Sequence, residues 1–218
     1  MDRFMLFHEL VRSRRSIRRW TDEPVPRADL EQMLDCARLA PSDTNAQPWH
    51  FTVTTNRVRI QQLEQATHAR FRELEQAMAS ADHKEAARKL RVFEKYAATF
   101  GSAPALILVS GEPYDSRFMR EVFTKMLTPE AQAQLSHDES IKSTSLASMN
   151  LLLAAHALGY GAVPMTGPVL AIPEYLQTAF QVPAPFEPHL LIAVGHPQAA
   201  NPPAVPRKSL ESVVQWID

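Results

Sequence analysis

The chain has 218 residues, of which 45% are hydrophobic and 22% are charged. These proportions are typical of a globular protein and exclude a fibrous or largely disordered chain. Lysine and arginine total 23 against 24 acidic residues, and this balance argues against a general polyanion binder, whose affinity depends on a broad basic face.

The first half of the chain predicts four helices and one strand. Apolar residues at helical spacing, or an absence of breakers, indicate the helices, and alternating β-branched and aromatic residues indicate the strand. In chain order these elements are a helix over 4–12, a helix over 26–40, a strand over 49–55 and two helices within 57–100 that are split near 79–84. Pro26 suits the first turn of the second helix, and Pro41 ends it.

The second half predicts two buried strands among further helices. In chain order the elements are a strand over 104–110, a helix over 116–126, a short helix over 128–135, a long helix over 138–161, a lead into a turn at 162–165, a helix over 172–180 and a strand over 189–195. Apolar residues cover more than one face of the long helix, so we expect it at the centre or at a subunit contact. Few strands among many helices, without strict alternation, predict an α+β fold.

The chain shows neither an internal repeat nor a low-complexity linker, so we expect residues 1–218 to form a single domain. Four prolines within residues 197–206 predict that the first half of a C-terminal arm, over about 196–218, is extended. The single cysteine, Cys36, excludes an intrachain disulfide and is expected to pack in the core. The apolar runs are too short to span a bilayer and the N-terminal residues lack a signal-peptide pattern, so we expect a cytoplasmic protein.

The familiar catalytic and nucleotide-binding motifs are missing from the sequence. Its six glycines form neither G-x-G-x-x-G nor a P-loop, its serines form no G-x-S-x-G elbow, and its eight histidines lack metal-binding spacing. These patterns therefore indicate no acid, base or nucleophilic chemistry of the chain's own. Such a chain either binds without reacting or uses a cofactor.

Two segments carry a functional signal. In "RSRRSIRR", Arg12 to Arg19, five of eight residues are arginine, which indicates either a nucleic-acid or targeting tract or a local site for a small anion. In "APSDTNAQPWHF", residues 40–51, hydroxyl and amide side chains crowd between two prolines. That segment is either an ordinary turn or an array that hydrogen-bonds the edge of a heteroaromatic ligand.

Together, "RRSIRRW" and "APSDTNAQPW" resemble the nitroreductase family of FMN-dependent oxidoreductases. The resemblance continues through "ASMNLLLAAHALGYGAVPM", "AVGHP" and "PPAVPRKSLESVV". It implies a nitroreductase-like fold, with a mostly antiparallel central sheet flanked by helices. It further implies an intertwined homodimer with a swapped C-terminal arm, FMN as cofactor and NADH or NADPH as electron donor.

The resemblance implies separate roles within the arginine segment. The FMN phosphate and ribityl chain would be contacted by Arg14, Arg15 and Ser16, and Arg18 would lie near the flavin pyrimidine. A guanidinium suits phosphate because it donates charge-assisted, paired hydrogen bonds. A cation beside the pyrimidine stabilises the negative charge of the reduced ring. The other two arginines, Arg12 and Arg19, are expected to be solvated.

Three later segments are also implied to contact the flavin. The loop that reaches the flavin held mainly by the other subunit would contribute Pro41, Ser42, Asp43, Asn45 and Gln47. Main-chain atoms near the flavin N5 would come from Met165, Thr166 and Gly167. The C-terminal arm would add a phosphate contact from Arg207, or from Lys208 if the register shifts by one.

Three points of the family pattern stay open. Residues 57–100 show no match for the asparagine and lysine that many members place against the flavin. The segment 116–134 is expected to face the substrate through Phe118, Phe123 and Met126, with a helix core as an equal alternative. Asp43 stands where the family often has serine or glycine, and its carboxylate is expected to alter substrate choice or flavin potential.

The implied reaction is a ping-pong hydride transfer from NAD(P)H through FMN to a nitroaromatic, a quinone or a related small acceptor, without a catalytic side chain. Alternatives within the same fold are a flavin-fragmenting, dehalogenating or azoline-oxidising enzyme. Outside it, the alternatives are a flavin-binding protein without turnover and a nucleic-acid binder that uses the arginines. We expect a homodimer that acts on a small molecule, with neither a nucleic-acid nor a membrane partner.

Overall fold

Helices cover both faces of one sheet in the computed structural model, which describes residues 2–199 and 202–217. The helices are α1 (Arg3–Ser13), α2 (Arg27–Arg38), α3 (Arg57–Ser80), α4 (Lys84–Ala97), α5 (Thr124–Met126), α6 (Pro129–Ala157), α7 (Gly167–Ala171) and α8 (Pro173–Ala179). A π-helical turn over Met119–Phe123 precedes α5. The two longest helices begin at capping side chains, because Asn56 accepts from the N–H of Arg59 and Thr128 accepts from that of Ala131.

The sheet consists of β1 (Trp49–Thr54), β2 (Ala105–Gly111), β3 (Gly161–Met165) and β4 (Glu187–Gly195). The strands lie in the order β1-β2-β4-β3, and each neighbouring pair is antiparallel. Ser16 adds one isolated parallel bridge to Ala162 at the β3 edge. The predicted α+β architecture with a mostly antiparallel sheet is thereby confirmed. Edge strands β1 and β3 lead into or out of the loops discussed below.

Each sheet face packs its own hydrophobic cluster. One cluster joins α3 and α8 to the sheet through Leu63, Leu176 and Leu108. The other joins α2 and α6 to the opposite face through Met33, Leu151 and Ile107. Strand β2 is buried along its whole length, as its continuous apolar run predicts. The two-sided burial fixes the strand ends, and therefore the loops that leave them, in defined positions.

The predicted division between helices over 128–135 and 138–161 is wrong, because α6 runs without interruption through Pro129–Ala157. The intervening residues contain neither glycine nor proline, so the first helix has no reason to stop. The predicted end of the long helix is sound. Gly159 has a φ of 86°, the left-handed conformation that follows many helix ends.

Residues 162–165 do not merely lead into a turn, because they belong to strand β3. Pro164 pairs with Ile192 in the register of β3 and β4. Proline is tolerated there since β3 is an edge strand with one side unpaired by the sheet. The strand brings Met165 to the same sheet end as the start of β1.

Cys36 is exposed, so the predicted core position is wrong. The buried stripe of α2 consists of Leu30, Met33 and Ala37, and Cys36 lies one position outside it. In the described part of the chain, no helix combines the length and apolar character needed to cross a bilayer. The described arm residues 202–217 lack a strand and are exposed throughout.

Candidate functional site

The arginine segment is anchored along the outer edge of β3. Ile17 donates its backbone N–H to the carbonyl of Ala162 at 3.2 Å, and the Trp20 indole donates to the carbonyl of Gly161 at 2.9 Å. Both anchoring side chains are buried, with exposed fractions of 7% and 3%. Gly161 has no room for a side chain, because an added Cβ would lie 2.6 Å from Cβ of Ile17. The anchored residues hold the intervening arginines in place.

The first arginines of this segment and the C-terminal arm enclose a cavity of about 620 Å³. It is lined by His8, Glu9, Val11, Arg12, Ser13, Arg14, Arg15, Pro202, Ala204, Val205 and Arg207. Burial, and then the charges of Arg207 and Arg15, hold the pKa of Arg14 below its ordinary value. Guanidinium groups that converge on a partly buried Arg14 favour the binding of an anion, which would offset their positive charge. We name this cavity the arginine cradle.

Unsatisfied donors support the same conclusion about the arginine cradle. Nη1 of Arg14 and Nε of Arg15 are buried without a hydrogen-bond partner among the described residues. Glu9, an acid that lines the cavity, lies 3.3 Å from Nε of Arg12. Buried donors are nearly always paired in proteins, so these two atoms call for an external acceptor such as a phosphate oxygen.

Arg15 has a second task, which its sequence position does not reveal. Its Nη1 donates to the carbonyls of Arg12 at 2.6 Å and Arg14 at 2.9 Å. The side chain therefore holds the turn that presents Arg14. In the arm, Arg207 lines the cavity and Lys208 does not, which favours the first of the two predicted registers.

Arg18 and the turn after β3 meet at the end of helix α4. The guanidinium carbon of Arg18 lies 5.9 Å from the ring centroid of Tyr96, within the range of a cation–π contact. The next residue, Ala97, packs so closely on Gly167 that an added Cβ there would lie 2.3 Å from Cβ of Ala97. The structure thereby brings together two predicted flavin-contact segments. It also adds Tyr96, from the region where sequence comparison gave no match.

The other predicted residues of these two segments differ in exposure. Ser16 is half-buried and lines a smaller cavity with Arg18 and Arg19. Met165 is buried in the core, whereas the side chain of Thr166 is exposed. The Met165 side chain is thus committed to packing. Any ligand contact from this turn would come from its main chain or from Thr166.

The loop over 41–47 holds its polar groups in an unusual backbone conformation. Thr44, Asn45 and Gln47 have φ values of 46°, 58° and 50°, a region that residues other than glycine seldom occupy. The backbone N–H of Gln47 donates to Oγ of Ser42 at 2.9 Å, and Oγ1 of Thr44 lies 3.1 Å from the Tyr114 hydroxyl. Such conformations cluster at functional sites. These conformations favour the second interpretation of the loop, a ligand-contacting array, over an ordinary turn.

All five predicted residues of this loop are at least partly exposed to solvent. Pro41, Asn45 and Gln47 are exposed, and Ser42 and Asp43 are half-exposed. Asp43 contributes, after Glu139 and Asp138, to raising the pKa of Lys142 above its ordinary value. The loop thus lies beside the first half of α6 and carries a negative charge.

The 41–47 loop and the turn after β3 adjoin different strands of the sheet. The loop leads into β1 and the turn leaves β3, and these are the opposite edges of the sheet. Three strand spacings separate them, about 14 Å at the usual distance between strands. The segment with Arg18 and Gly167 and the loop from Ser42 to Gln47 therefore lie at different edges of the sheet.

The segment predicted to face the substrate contains an aromatic pair, of which Phe118 is exposed and Phe123 is half-buried. The rings of Phe118 and Phe123 meet edge to face with centroids 5.1 Å apart. Phe118 is 56% exposed and Met126 is 70% exposed, so a helix-core role is wrong for these two residues. The π-helical turn between them is a feature found frequently at functional sites.

Comparisons with known proteins agree with this geometry. A family model described as "Nitroreductase family" matches residues 11–196. The chain is 30% identical over 205 residues to an NADH dehydrogenase of Thermus thermophilus, covering 93% of this chain and 92% of that protein. Two solved structures have similar folds. A BluB-like flavoprotein from Clostridium difficile has a TM-score of 0.83 and 22% identity, with 97% and 99% of the two chains covered. A nitroreductase with bound FMN from Desulfitobacterium hafniense has a TM-score of 0.70 and 19% identity, with both chains fully covered.

Proposed function

Because the chain belongs to the nitroreductase family, we propose that it is an FMN-dependent oxidoreductase that uses NADH or NADPH to reduce a small acceptor. The acceptor class is a nitroaromatic, a quinone or a related electron-poor ring. One observation carries the proposal, which is the pair of buried, unpartnered guanidinium nitrogens in the arginine cradle. The NADH dehydrogenase relative and the FMN-bound structural neighbour support the same choice of donor and cofactor.

In this proposal the cradle holds the FMN phosphate. Arg14, Arg15 and Arg207 supply the charge-assisted hydrogen bonds, and Arg15 also keeps the turn in shape through its bonds to main-chain carbonyls. Burial and then the charges of Arg207 and Arg15 lower the pKa of Arg14, and the phosphate would offset the repulsive part of this effect. Binding at this end then positions the rest of the cofactor without requiring strong contacts to its ring.

When bound, the FMN ring would accept electrons from the nicotinamide and pass them to the acceptor. The chain's own residues would orient and polarise that exchange. Arg18 would place a positive charge beside the flavin pyrimidine, where it would favour electron transfer to the ring, and Tyr96 holds its guanidinium by a cation–π contact. Close packing of Gly167 on Ala97 fixes the main chain of the adjoining turn.

A homodimer is part of the proposal, with the 41–47 loop of one subunit completing the site of the other. Its support is that the 41–47 loop adjoins β1 and the turn after β3 adjoins β3, which are the opposite edges of the sheet. Large apolar side chains also lack cover in a single chain. Phe4 and Phe7 on α1 are 65% and 57% exposed, and Trp216 and Ile217 in the arm are 84% and 87% exposed. A second copy that receives the arm would bury these groups.

The visible spectrum of the purified protein tests the proposed cofactor. We expect a yellow protein, or a colourless one that takes up FMN, and bleaching by NADH or NADPH under anaerobic conditions. A protein that binds no FMN contradicts the proposal. Bound FMN that neither donor reduces would instead indicate a flavin-binding protein without turnover. Reoxidation by a panel of nitroaromatics, quinones, halogenated phenols and azolines then separates the specialised branches of the fold.

Light scattering after size exclusion tests the assembly. The full chain is expected at twice its monomer mass of 24.5 kDa, and a chain ending at residue 199 is expected to dissociate more readily. That truncation also removes Arg207, so the Arg207→Ala variant is its control for phosphate binding. A monomeric full chain that holds FMN tightly would exclude the shared site.

A further inference from the structure

His156 lies behind the arginine cradle, one residue before the C-terminal end of α6. Its Nε2 is 2.8 Å from Oγ of Ser13, the last residue of α1. The same hydroxyl lies 2.7 Å from the carbonyl oxygen of Glu9. A carbonyl only accepts, and a hydroxyl has one proton, so Ser13 donates to Glu9 and accepts from the N–H at Nε2 of His156. The ring is therefore fixed directly against the end of α1.

The charges around this imidazole are mainly positive. Burial, and then the charges of Arg14 and Arg15, lower the pKa of His156 below its ordinary value. The charged groups that line the adjoining cavity are Glu9 and Arg12 of α1, Arg14 and Arg15 after it, and Arg207 of the arm, and His8 of α1 adds a second titratable imidazole. Glu9 contacts Arg12 at 3.3 Å, which leaves the other three guanidinium groups as the uncompensated charges. Burial and these positive charges both disfavour the charged form of the His156 imidazole.

We propose that His156 is a proton-linked positioning residue of the arginine cradle, which gains a proton when a phosphate group binds to Arg14, Arg15 and Arg207. The proposal rests on the FMN function proposed above. A phosphate dianion compensates the arginine charges that disfavour the imidazolium. The bond to Ser13 persists in both states, because Nε2 carries a proton in each. Protonation therefore adds a positive charge without moving the ring.

The consequence is a pH dependence of phosphate binding. A group whose pKa is higher in the complex than in the free protein strengthens binding at low pH, and this gain is lost as pH rises through the higher value. Each unit by which the anion raises that pKa changes the affinity about tenfold between the two limits. The second ionisation of the phosphate, near pH 6, acts in the opposite direction. A comparison of wild type with a variant that lacks His156 therefore separates the contribution of the histidine to this pH dependence from that of the phosphate.

The matched pair of variants is His156→Gln and His83→Gln. Glutamine can keep a donor toward Ser13 but does not titrate, and His83 is exposed in the turn between α3 and α4. FMN affinity of the apoprotein, from flavin fluorescence, is measured at about pH 5.5 and about pH 8, on either side of the usual histidine pKa. We expect the low-pH to high-pH affinity ratio to fall at least about threefold in His156→Gln only, a shift equivalent to half a pKa unit. Equal ratios in wild type and both variants would overturn the proposal.

A direct titration separates this inference from the flavin function. The ring resonance of His156, assigned by its loss in His156→Gln, is followed against pH in free protein, with FMN and with inorganic phosphate. A pKa that rises with FMN supports both proposals. One that rises with phosphate, while FMN fails to bind, overturns the flavin function and keeps the histidine coupling. A pKa unchanged by either anion overturns the coupling, even if the protein is yellow.

Discussion

Oε1 of Glu64 lies 2.6 Å from the backbone nitrogen of Gly101 and accepts its hydrogen bond. The same oxygen accepts from the backbone N–H of Phe100 at 2.8 Å. Glu64 belongs to α3, and the two amides lie in the connection from α4 to β2. The half-buried carboxylate of Glu64 therefore links α3 to the connection between α4 and β2. Phe100 and Gly101 follow the end of α4, the helix that carries Tyr96.

Glu64→Ala is expected to lower the free energy of unfolding by about 2 to 4 kcal/mol, because two amides lose a charged acceptor. Urea unfolding measures the change. The control is Glu73→Ala on the same helix, whose carboxylate contacts Arg70 at 3.1 Å on the surface. That exposed pair is expected to contribute less than about 1 kcal/mol. Equal losses in both variants would show that the Glu64 contact is no stronger than a surface pair.

Gly101→Ala provides an independent measure of the same contact. An added Cβ would lie 2.1 Å from Oε2 of Glu64, so the carboxylate has to move away from the amides. The substitution should therefore destabilise the wild type more than it destabilises Glu64→Ala. Additive effects of the two substitutions would contradict this coupling.

The arginines of the cradle are expected to differ sharply from Arg19 in their effect on FMN binding. Arg14→Ala and Arg207→Ala each remove a phosphate partner, at about 1.5 to 3 kcal/mol per charge-assisted hydrogen bond. Their dissociation constants for FMN should rise by about 10-fold to 150-fold. Arg19→Ala is the control, because this exposed residue engages the fold through its carbonyl, which accepts from Gln198 at 3.1 Å.

Calorimetry or fluorescence of the apoproteins gives these affinities. Arg15→Ala is expected to join the strong group for a second reason, since its Nη1 also holds the turn at Arg12 and Arg14. Equal losses in all four variants, Arg19→Ala included, would indicate a diffuse positive field and no built site.

Most of the fold follows from local patterns in the sequence. Apolar spacing and proline boundaries place α1 and α2, and a continuous apolar run places β2. The errors arise where tertiary context decides. Pro164 obscures β3, because a proline is acceptable only when the strand lies at a sheet edge. The order of strands, and therefore which strand is at the edge, cannot be read from local periodicity.

The site is less predictable because its residues come from distant segments. The arginine segment and the 41–47 loop are visible as motifs, and family resemblance adds Arg207. Tyr96 and His156 carry no motif, since helix packing alone brings them to Arg18 and Ser13. An exposed aromatic near the end of amphipathic α4 is the only sequence signal that Tyr96 offers. His156 resembles any histidine in an apolar helix until α1 is placed beside it.

Tyr160 should contribute stability that disappears in strong alkali. Its hydroxyl donates to Asp29, and burial, followed by this hydrogen bond, raises its pKa to about 12 from an ordinary 10. The raised value means that the contribution is complete below about pH 10 and is lost as pH rises toward 12. Two units correspond to about 3 kcal/mol as an upper magnitude.

The check on Tyr160 is chemical unfolding at several alkaline pH values in wild type and Tyr160→Phe. The variant should be less stable near neutral pH and should lose less of its stability between pH 10 and 12. Tyr175→Phe is the control, because Tyr175 is 42% exposed on α8. If the free energies of unfolding of Tyr160→Phe, Tyr175→Phe and wild type fall equally with rising pH, the contact with Asp29 does not contribute to stability.

His189 is expected to make the fold sensitive to acid. Burial, and then the nearby His137, lower its pKa to about 4 from an ordinary 6.5. Its Nδ1 lies 3.0 Å from Oγ1 of Thr144, and Gly111 packs so tightly beside it that an added Cβ would lie 2.3 Å from its ring. The folded state thus holds a neutral imidazole in a filled space, where a charged one is disfavoured.

The sign of the effect follows from this lowered value. Above pH 6.5 His189 is neutral in the folded and in the unfolded state, and the stability is retained. Between pH 6.5 and 4 only the unfolded chain takes up the proton, so the folded state loses stability as the pH falls. Wild type should therefore lose on the order of 3 kcal/mol across that interval through this residue. His189→Gln, measured by urea unfolding at each pH, should show a shallower loss even though it starts less stable. His83→Gln, at an exposed position, should keep the wild-type slope, and identical slopes in all three proteins would contradict the assignment.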